Sequence, residues 1–244
     1  MPLAHGRRNY FGVLGQVRMT NQTAEVYWLD AKTPVSLRFD DRYFSRADGL
    51  AEARHVFLDG NGLPGRFAPG FHIAELGFGC GLNMLAVYKC WLDAGTPGPL
   101  HFTSFEAFPM HAADMQKALA AFPELDEVAK QILPIWASGA RHFNLPQLRA
   151  QIIIGDARTT IGQWSGTADA WFLDGFAPAR NPEMWEPELL AGVANHTAPG
   201  GTFATYTAAG HVRRALQRAG FSVSRVPGHG RKRHMTCGRL DAAK

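Results

Sequence analysis

Cysteine is scarce in this sequence of 244 residues. Its three cysteines, Cys80, Cys90 and Cys237, are an odd number, and none of them belongs to a CxxC pair. This spacing supports neither a disulfide framework nor a zinc site. We therefore expect a protein of the reducing cytoplasm that holds no metal ion.

Long apolar runs are also absent. No stretch reaches the roughly 18 apolar residues that a transmembrane helix needs, and the first ten residues, MPLAHGRRNY, lack the apolar segment of a signal peptide. We expect no membrane association. Apolar residues nevertheless make up 46% of the chain and charged residues 19%, a composition that suits one α/β domain with a large core.

Acidic residues are rare at the C-terminal end. Residues 211–244 contain nine Lys or Arg and one acid, Asp241, for a net charge of +8, whereas the remaining residues carry a net charge of −4. A basic end on an acidic body predicts a polyanionic partner.

Strand-like and helix-like patterns alternate from residue 71 onward. The predicted strands are 71–76, 100–106, 151–156, 168–176, 201–207, 221–226 and 233–240, and the predicted helices are 82–95, 111–122, 183–197 and 211–220. This alternation predicts an α/β fold with a mostly parallel, seven-stranded sheet and helices on both faces. The last two strands are joined by PGHGRK without a helix, which predicts a closing antiparallel hairpin. Such a Rossmann-like sheet is typical of class I methyltransferases.

Two regions fall outside this alternation. Residues 1–70 are polar and Gly-rich with short β-like pieces, and we expect them to form a small N-terminal β appendage or lid on a main domain of residues 71–244. Residues 123–150 are too long for a simple connection, which indicates a helical insertion.

The segment ELGFGCGLN places Gly77, Gly79 and Gly81 on alternate positions after a predicted strand, with Glu75 two residues earlier. Bare backbone at a helix start lets a ligand approach the N–H groups closely. Leu82 stands where a dinucleotide fingerprint needs a small residue. The pattern ExGxGxG instead matches the first motif of enzymes that use S-adenosylmethionine (SAM). The alternative is a glycine-rich turn that binds no ligand.

Three further acids end predicted strands. Glu106 could accept hydrogen bonds from ribose hydroxyls, or could be an exposed strand-end carboxylate. Asp156 could bind an adenine amino group, cap the following helix, or do both. Asp174 ends the fourth strand, and all of these carboxyl ends meet at one crevice. We place the cofactor site at Glu75, Gly77, Phe78, Gly79, Gly81, Asn83, Glu106, Asp156 and Ala157.

The loop of residues 174–185, DGFAPARNPEMW, combines an acid with two prolines and two aromatic residues. Amine methyltransferases often have an Asp or Asn followed by Pro and an aromatic residue at this strand end. Asp174 would accept a hydrogen bond from the acceptor nitrogen, and Phe176 would pack against a flat substrate. A structural turn would need neither the acid nor the aromatic residues. We therefore predict Asp174 and Phe176 as the catalytic residues.

Seven segments together resemble the methyltransferase domain of the MnmC family, whose stand-alone form is called MnmD. They occur in order along nearly the whole chain and are FDDRYFS (39–45), HVFLDGN (55–61), ELGFGCGLNML (75–85), SFEAFP (104–109), DAWFLDGFAPARNPEMW (169–185), APGGTFATYTAAGHVRRALQRAGF (198–221) and GHGRKRHM (228–235).

The resemblance implies a SAM-dependent tRNA methyltransferase. Its substrate would be the 5-aminomethyl group of wobble uridine, often 2-thiolated, in the tRNA anticodon loop, and its product the 5-methylaminomethyl uridine. The family's FAD-dependent oxidoreductase domain has no counterpart here, so we expect separate enzymes to supply the aminomethyl uridine. We expect the acceptor and the tRNA backbone to contact Pro178, Arg180, Trp185, Arg213, Arg231, Lys232 and Arg233, with the hairpin arginines and lysine outside the chemistry.

Two other functions remain open from the residues alone. One is a class I transferase that acts on another amine, including an aminopropyl transferase, although the latter would need an acidic polyamine site. The other is an RNA-binding module that kept the fold and lost the chemistry, although the acids Glu75, Glu106 and Asp174 are all present.

Overall fold

The computed structural model describes residues 23–241. A small antiparallel sheet begins this part of the chain, in the order β1–β2–β3, and consists of β1 (Val26–Leu29), β2 (Thr33–Ser36) and β3 (Asp41–Arg42). It confirms the expected N-terminal β structure. Residues 1–22 of the predicted appendage, and Lys244 of the basic end, lie outside the described residues.

A helical segment that the sequence analysis did not predict follows the small sheet. It contains α1 (Gly49–Ala53), a π-helical turn (Arg54–Leu58) and a 3₁₀ turn (Asp59–Asn61). Asp48 caps α1, since its carboxylate accepts a hydrogen bond of 2.8 Å from the Ala51 N–H. The segment packs into the same core as the large sheet. The domain boundary near residue 70 stays a prediction.

The large sheet has eight strands in the described part of the chain, in the order β10–β11–β9–β8–β4–β5–β7–β6. Its strands are β4 (His72–Leu76), β5 (Leu100–Glu106), β6 (His142–Leu145), β7 (Leu148–Ile154), β8 (Ala168–Leu173), β9 (Thr197–Thr205), β10 (Phe221–Pro227) and β11 (His234–Leu240). The neighbours β9, β8, β4, β5 and β7 are parallel, which confirms the predicted sheet type.

Helices cover both faces of this sheet. They are α2 (Leu82–Ala94), α3 (Ala112–Leu119), α4 (Asp126–Ala137), α5 (Ala157–Thr160), α6 (Pro187–Asn195) and α7 (Gly210–Arg218). Alternate strand residues point to opposite cores: Phe172 packs with α2 to α4, whereas Trp171 packs with α5 to α7. Burial on both faces explains why the central strands read as continuous apolar runs.

The C-terminal hairpin is antiparallel, as predicted. β11 lies between β9 and β10 and is antiparallel to both, so β10 is the edge strand. The turn of residues 228–233 therefore projects from one end of this edge.

The insertion of residues 123–150 is only partly helical. It contains the expected helix, α4, but also β6, which forms an antiparallel pair with β7 in the register Leu145↔Leu148. β7 consequently begins at Leu148, three residues before the predicted start. The prediction of seven strands was one strand short because β6 has only four residues, too few for a clear alternating pattern.

Candidate active site

A cavity of about 680 Å³ lies at the carboxyl ends of β4, β5, β7 and β8. In an open α/β sheet, this is the edge at which ligands bind. The N-terminal sheet forms part of the cavity wall. The lining brings seven of the predicted site residues together: Gly77, Gly79, Glu106, Asp156, Ala157, Asp174 and Phe176.

The glycine loop passes close to the loop that follows β8. Gly77 has φ +87°, and a Cβ atom at this position would lie 2.1 Å from the carbonyl oxygen of Asp174. Only glycine fits there, because both the backbone angle and the space exclude a side chain. Phe78 and Gly81 lie outside the cavity lining, and the Phe78 ring packs on Trp136 with centroids 5.0 Å apart. These two buried residues therefore support the loop from the protein interior.

One amide group joins a buried acid, Glu75, to the half-buried Asp174. The Asn83 Nδ2 donates hydrogen bonds to Glu75 Oε1 at 2.9 Å and to Asp174 Oδ2 at 2.8 Å. Since an amide has two N–H hydrogens, this arrangement uses both and fixes the Asp174 carboxylate. Ser104 Oγ donates a third hydrogen bond, of 2.7 Å, to Glu75 Oε2.

The environment raises the pKa of both acids. Burial raises the pKa of Glu75 to about 8 and that of Asp174 to about 7, although the hydrogen bonds from Asn83 oppose the shift. Glu75 is completely buried and outside the cavity lining. This placement corrects the expectation that Glu75 forms part of the cofactor site itself: it contacts that site through Asn83.

Glu106 keeps its carboxylate on the cavity wall. Its Oε2 accepts a hydrogen bond of 2.9 Å from the Gly79 N–H, and its Oε1 accepts one of 2.7 Å from the Phe108 N–H. Burial raises the pKa of Glu106, while these backbone donors lower it. The carboxylate is thus held by the backbone, and each oxygen retains a lone pair for a ligand hydroxyl.

Asp156 caps α5, one of the two roles that the sequence left open. Its Oδ1 accepts a hydrogen bond of 2.9 Å from the Arg158 N–H, and its Oδ2 accepts one of 2.6 Å from the Arg158 guanidinium. These bonds lower the pKa of Asp156. Arg158 also reaches Glu186 at 3.3 Å. The sequence analysis missed Arg158, although its position two residues after Asp156 was a usable signal.

Aromatic side chains close the opposite end of the cavity. Phe176 stacks on Phe39 with ring centroids 4.9 Å apart and an interplanar angle of 28°, and Tyr43 meets it edge-on at 5.2 Å. Asp41 Oδ2 also accepts a hydrogen bond of 2.9 Å from the Ala177 N–H. The N-terminal sheet thus contacts the loop after β8 through a hydrogen bond and through ring packing. The sequence analysis did not place Phe39, Asp41 or Tyr43 in the site.

Three further predicted residues of this loop, unlike Phe176, do not line the cavity. Trp185 is 3% exposed, and its Nε1 donates a hydrogen bond of 2.9 Å to the carbonyl of Phe176. This burial corrects the expectation that Trp185 contacts tRNA. Arg180 is exposed and forms an ion pair of 2.8 Å with Asp40, while Pro178 lies outside the cavity lining.

The basic residues predicted to bind tRNA occupy different environments. Arg231 and Arg233 are exposed in the hairpin turn, and neither forms an ion pair with another described residue. Lys232, between them, forms an ion pair of 2.7 Å with Glu52. Arg213 lies half-buried on α7, where its guanidinium Nε is buried without a hydrogen-bond partner among the described atoms.

Residues 23–241 contain neither a cluster of metal ligands nor a helix that could span a membrane. No group of three or more His, Cys, Asp or Glu side chains there is arranged to hold a metal ion. The helices of this region are all too short or too polar to cross a bilayer.

Comparison with known proteins gives a consistent result. A family described as S-adenosyl-L-methionine-dependent methyltransferase matches residues 123–241. The tRNA 5-methylaminomethyl-2-thiouridine biosynthesis bifunctional protein MnmC of Marinobacter nauticus is 44% identical over 237 residues, which cover 91% of this chain and 37% of that protein. The protein of the same name from Chromobacterium violaceum is 45% identical over 231 residues, which cover 90% of this chain and 35% of that protein.

The chain therefore spans about a third of the length of these relatives. Among solved structures, MNMC2 from Aquifex aeolicus is similar, with a TM-score of 0.72 and 23% identity, covering 92% of this chain and 72% of that chain. This similarity shows a shared fold.

Proposed function

We propose that this chain is an S-adenosyl-L-methionine-dependent methyltransferase that methylates the 5-aminomethyl group of wobble uridine in tRNA, with or without 2-thiolation. The product is 5-methylaminomethyl-(2-thio)uridine, the modification that appears in the names of the MnmC relatives. The reaction takes place in the cytoplasm, where the anticodon loop of the tRNA is the partner.

One observation carries this proposal: a half-buried carboxylate and an aromatic ring, two residues apart, line the same cavity. Asp174 and Phe176 follow β8 and line the same cavity as Gly77, Gly79 and Glu106. The acid suits an amine, and the ring suits a flat base.

The cavity residues fit SAM. Gly77 and Gly79 present bare backbone to the cavity, and the Glu106 carboxylate has lone pairs for ribose hydroxyls. When bound, SAM supplies an electrophilic methyl group. Asp156 would face the adenine while it caps α5, and Ala157 would line that end.

Asp174 has the properties needed to handle the proton of the acceptor. A primary alkylamine is protonated in water at neutral pH, and only the neutral amine can attack a methyl group. The partly apolar cavity disfavours the ammonium form and so lowers the pKa of the amine. Asp174, whose pKa is about 7, orients the amine by accepting an N–H hydrogen bond and can take up the proton that methylation releases.

The test is methyl transfer to a defined tRNA. The purified protein is incubated with methyl-labelled SAM and tRNA from cells that cannot methylate the wobble aminomethyl group, and the nucleosides are then separated and identified. Label in 5-methylaminomethyl-(2-thio)uridine is the expected result. Fully methylated tRNA from normal cells is the matched control and should accept no label.

Two outcomes would overturn the proposal. Label on another amine would assign the enzyme to a different acceptor. Tight tRNA binding without SAM binding in calorimetry would point to an RNA-binding protein that has lost the chemistry.

A further inference from the structure

The C-terminal hairpin reaches the edge of the active site through one side chain. The Lys232 ammonium lies 4.2 Å from the centroid of the Tyr206 ring and 2.7 Å from Glu52 Oε1. The Glu52 side chain is only 13% exposed, which favours a well-defined pair over a fluctuating surface contact. The neighbouring residues Arg231 and Arg233 make no such contacts within residues 23–241.

Tyr206 in turn contacts the loop that follows β8, at the residue next to Asp174. Its hydroxyl donates a hydrogen bond of 2.7 Å to the carbonyl oxygen of Gly175, the residue directly after Asp174. The Tyr206 ring also meets Trp185 edge-on at 6.2 Å. The contacts therefore run from the Lys232 ammonium to the Tyr206 ring, and from the Tyr206 hydroxyl to the backbone beside Asp174.

We propose that Lys232 is a positioning residue for the acceptor site: it fixes Tyr206, and through Tyr206 the Asp174–Gly175 segment, so that the hairpin expected to anchor tRNA also sets the geometry of the acid. The inference deepens the proposed function and rests on it. It replaces the expectation that all three basic residues of the turn serve phosphate binding alone.

The charges around Asp174 agree with this role. Asn83 from α2 and Glu75 from β4 lie on the interior side of Asp174. Three further groups face it: Asp41 from the N-terminal sheet, Glu52 from α1, and Tyr206 from the segment after β9. Asp41 and Glu52 raise the pKa of Asp174, and Lys232 is the cation that opposes them. Removal of the Lys232 charge should therefore raise that pKa further and leave less of the carboxylate ionised at neutral pH.

The turn supplies a matched control. Lys232→Met and Arg231→Met each remove one positive charge from the same exposed turn and leave an unbranched apolar side chain. Of these two residues, Lys232 touches Tyr206 and Glu52, whereas Arg231 touches neither. A role in phosphate binding predicts similar effects of the two substitutions, whereas a positioning role predicts different ones.

The experiment measures kcat and KM for tRNA between pH 6 and pH 9 at saturating SAM. Lys232→Met should lower kcat about tenfold near neutral pH and move its acid limb to higher pH, and Lys232→Arg should recover most of the loss because it keeps the charge. Arg231→Met should raise KM for tRNA and leave the acid limb where it is. If Lys232→Met changed only KM, as Arg231→Met does, the proposal would be wrong.

A second measurement does not depend on turnover. Hydrogen exchange of the peptide containing residues 174–177 should be faster in Lys232→Met than in the wild type, and unchanged in Arg231→Met. Equal exchange in all three proteins would overturn the positioning role even if the acceptor proved to be another amine. Failure of the wild type to methylate tRNA would overturn the proposed function and leave the exchange result to decide on Lys232.

Discussion

Phe39, from the N-terminal sheet, lies on the face of Phe176, 4.9 Å between ring centroids, at the end of the cavity where the acceptor base is proposed to stack. The two residues are 137 positions apart in sequence, and Tyr43 adds an edge contact to the same ring. A base cannot stack on a ring face that another ring covers. Phe39 therefore has to move if the acceptor stacks on the face of Phe176 that it covers.

Phe39→Ala should bind the acceptor tRNA more tightly. A stacked aromatic pair contributes about 0.5–1.5 kcal/mol, so its removal should lower KM for tRNA by up to about tenfold with little change in kcat. Phe39→Trp keeps a large ring at the position and should not lower KM. A higher KM in Phe39→Ala would show instead that Phe39 forms a wall for the bound base.

Asp174→Ala should abolish turnover and still bind SAM. Asp174 is held by Asn83 at the acceptor end, and its loss removes the group that orients the amine and takes its proton. We expect kcat to fall by at least about a hundredfold, the scale of a lost general base. Calorimetry with SAM checks folding and cofactor binding in parallel. Near-normal turnover would remove Asp174 from the mechanism.

Gly77→Ala should disrupt the site far more than Gly95→Ala does. Both glycines have positive φ, which costs an L residue roughly 1–2 kcal/mol, but a Cβ at Gly95 meets nothing within 4 Å. A Cβ at Gly77 would collide with the Asp174 carbonyl and push the two loops apart. Urea denaturation should show the larger loss for Gly77→Ala, together with weaker SAM binding. Similar losses in both variants would mean that the loops adjust freely.

Glu75→Gln should flatten the dependence of stability on pH. The pKa of Glu75 is about 8 in the folded protein and near 4.5 in the unfolded chain. Between these values the folded state binds more protons, so the free energy of unfolding falls as pH rises, by up to about 1.4 kcal/mol per pH unit. The glutamine amide of the variant does not titrate, so this part of the decline should disappear.

Urea denaturation of the wild type and of Glu75→Gln at pH 5 and pH 8 measures the difference. Glu127→Gln is the control, because the hydrogen bond and charge of Lys130 lower the pKa of this exposed acid, opposite to the shift of Glu75. Equal slopes for Glu75→Gln and the wild type would show that Glu75 is already ionised at pH 5.

Replacing Arg231 and Arg233 together with Ala should weaken tRNA binding and flatten its salt dependence. Each phosphate contact releases condensed counterions, so the slope of log K against log salt should decrease by roughly one to two units. SAM affinity should stay at the wild-type value, since the glycine loop belongs to another strand end. Binding isotherms at several salt concentrations provide the measurement, and an unchanged slope would remove both residues from the tRNA interface.

The sequence predicted the acids at the strand ends better than the residues that surround Phe176. β5 was predicted with the bounds that the structure has, and the acids that end β5, β7 and β8 line one cavity, because strand ends are encoded locally by apolar runs followed by a polar residue. The interior position of Glu75 was not predictable in this way. It depends on Asn83 and Ser104, which approach only after the sheet has formed.

The surroundings of Phe176 depend on contacts between residues that are distant in sequence. Phe39 and Asp41 carry no local signal that they reach Phe176 and Ala177. Trp185 looked like a stacking residue because aromatic side chains are common in RNA sites, but the 3₁₀ turn Pro182–Trp185 turns its ring inward. Lys232 looked equivalent to its neighbours, and only the tertiary structure shows its pairing with Glu52.

The hydrogen bond from Ala177 to Asp41 spans 136 residues, and the ion pair of Lys232 with Glu52 joins residues even farther apart in the chain. The glycine loop and Glu106, by contrast, lie within about 30 residues of each other. Contacts of short sequence separation form early in folding, and those of long separation form late. The pairing of Glu106 with the glycine loop needs no residue beyond Phe108, whereas the loop that follows β8 gains its full set of contacts only once Lys232 has joined the fold. A chain that ends before residue 232 would therefore lack part of the support of the Asp174–Gly175 segment, even with the glycine loop and Glu106 already paired.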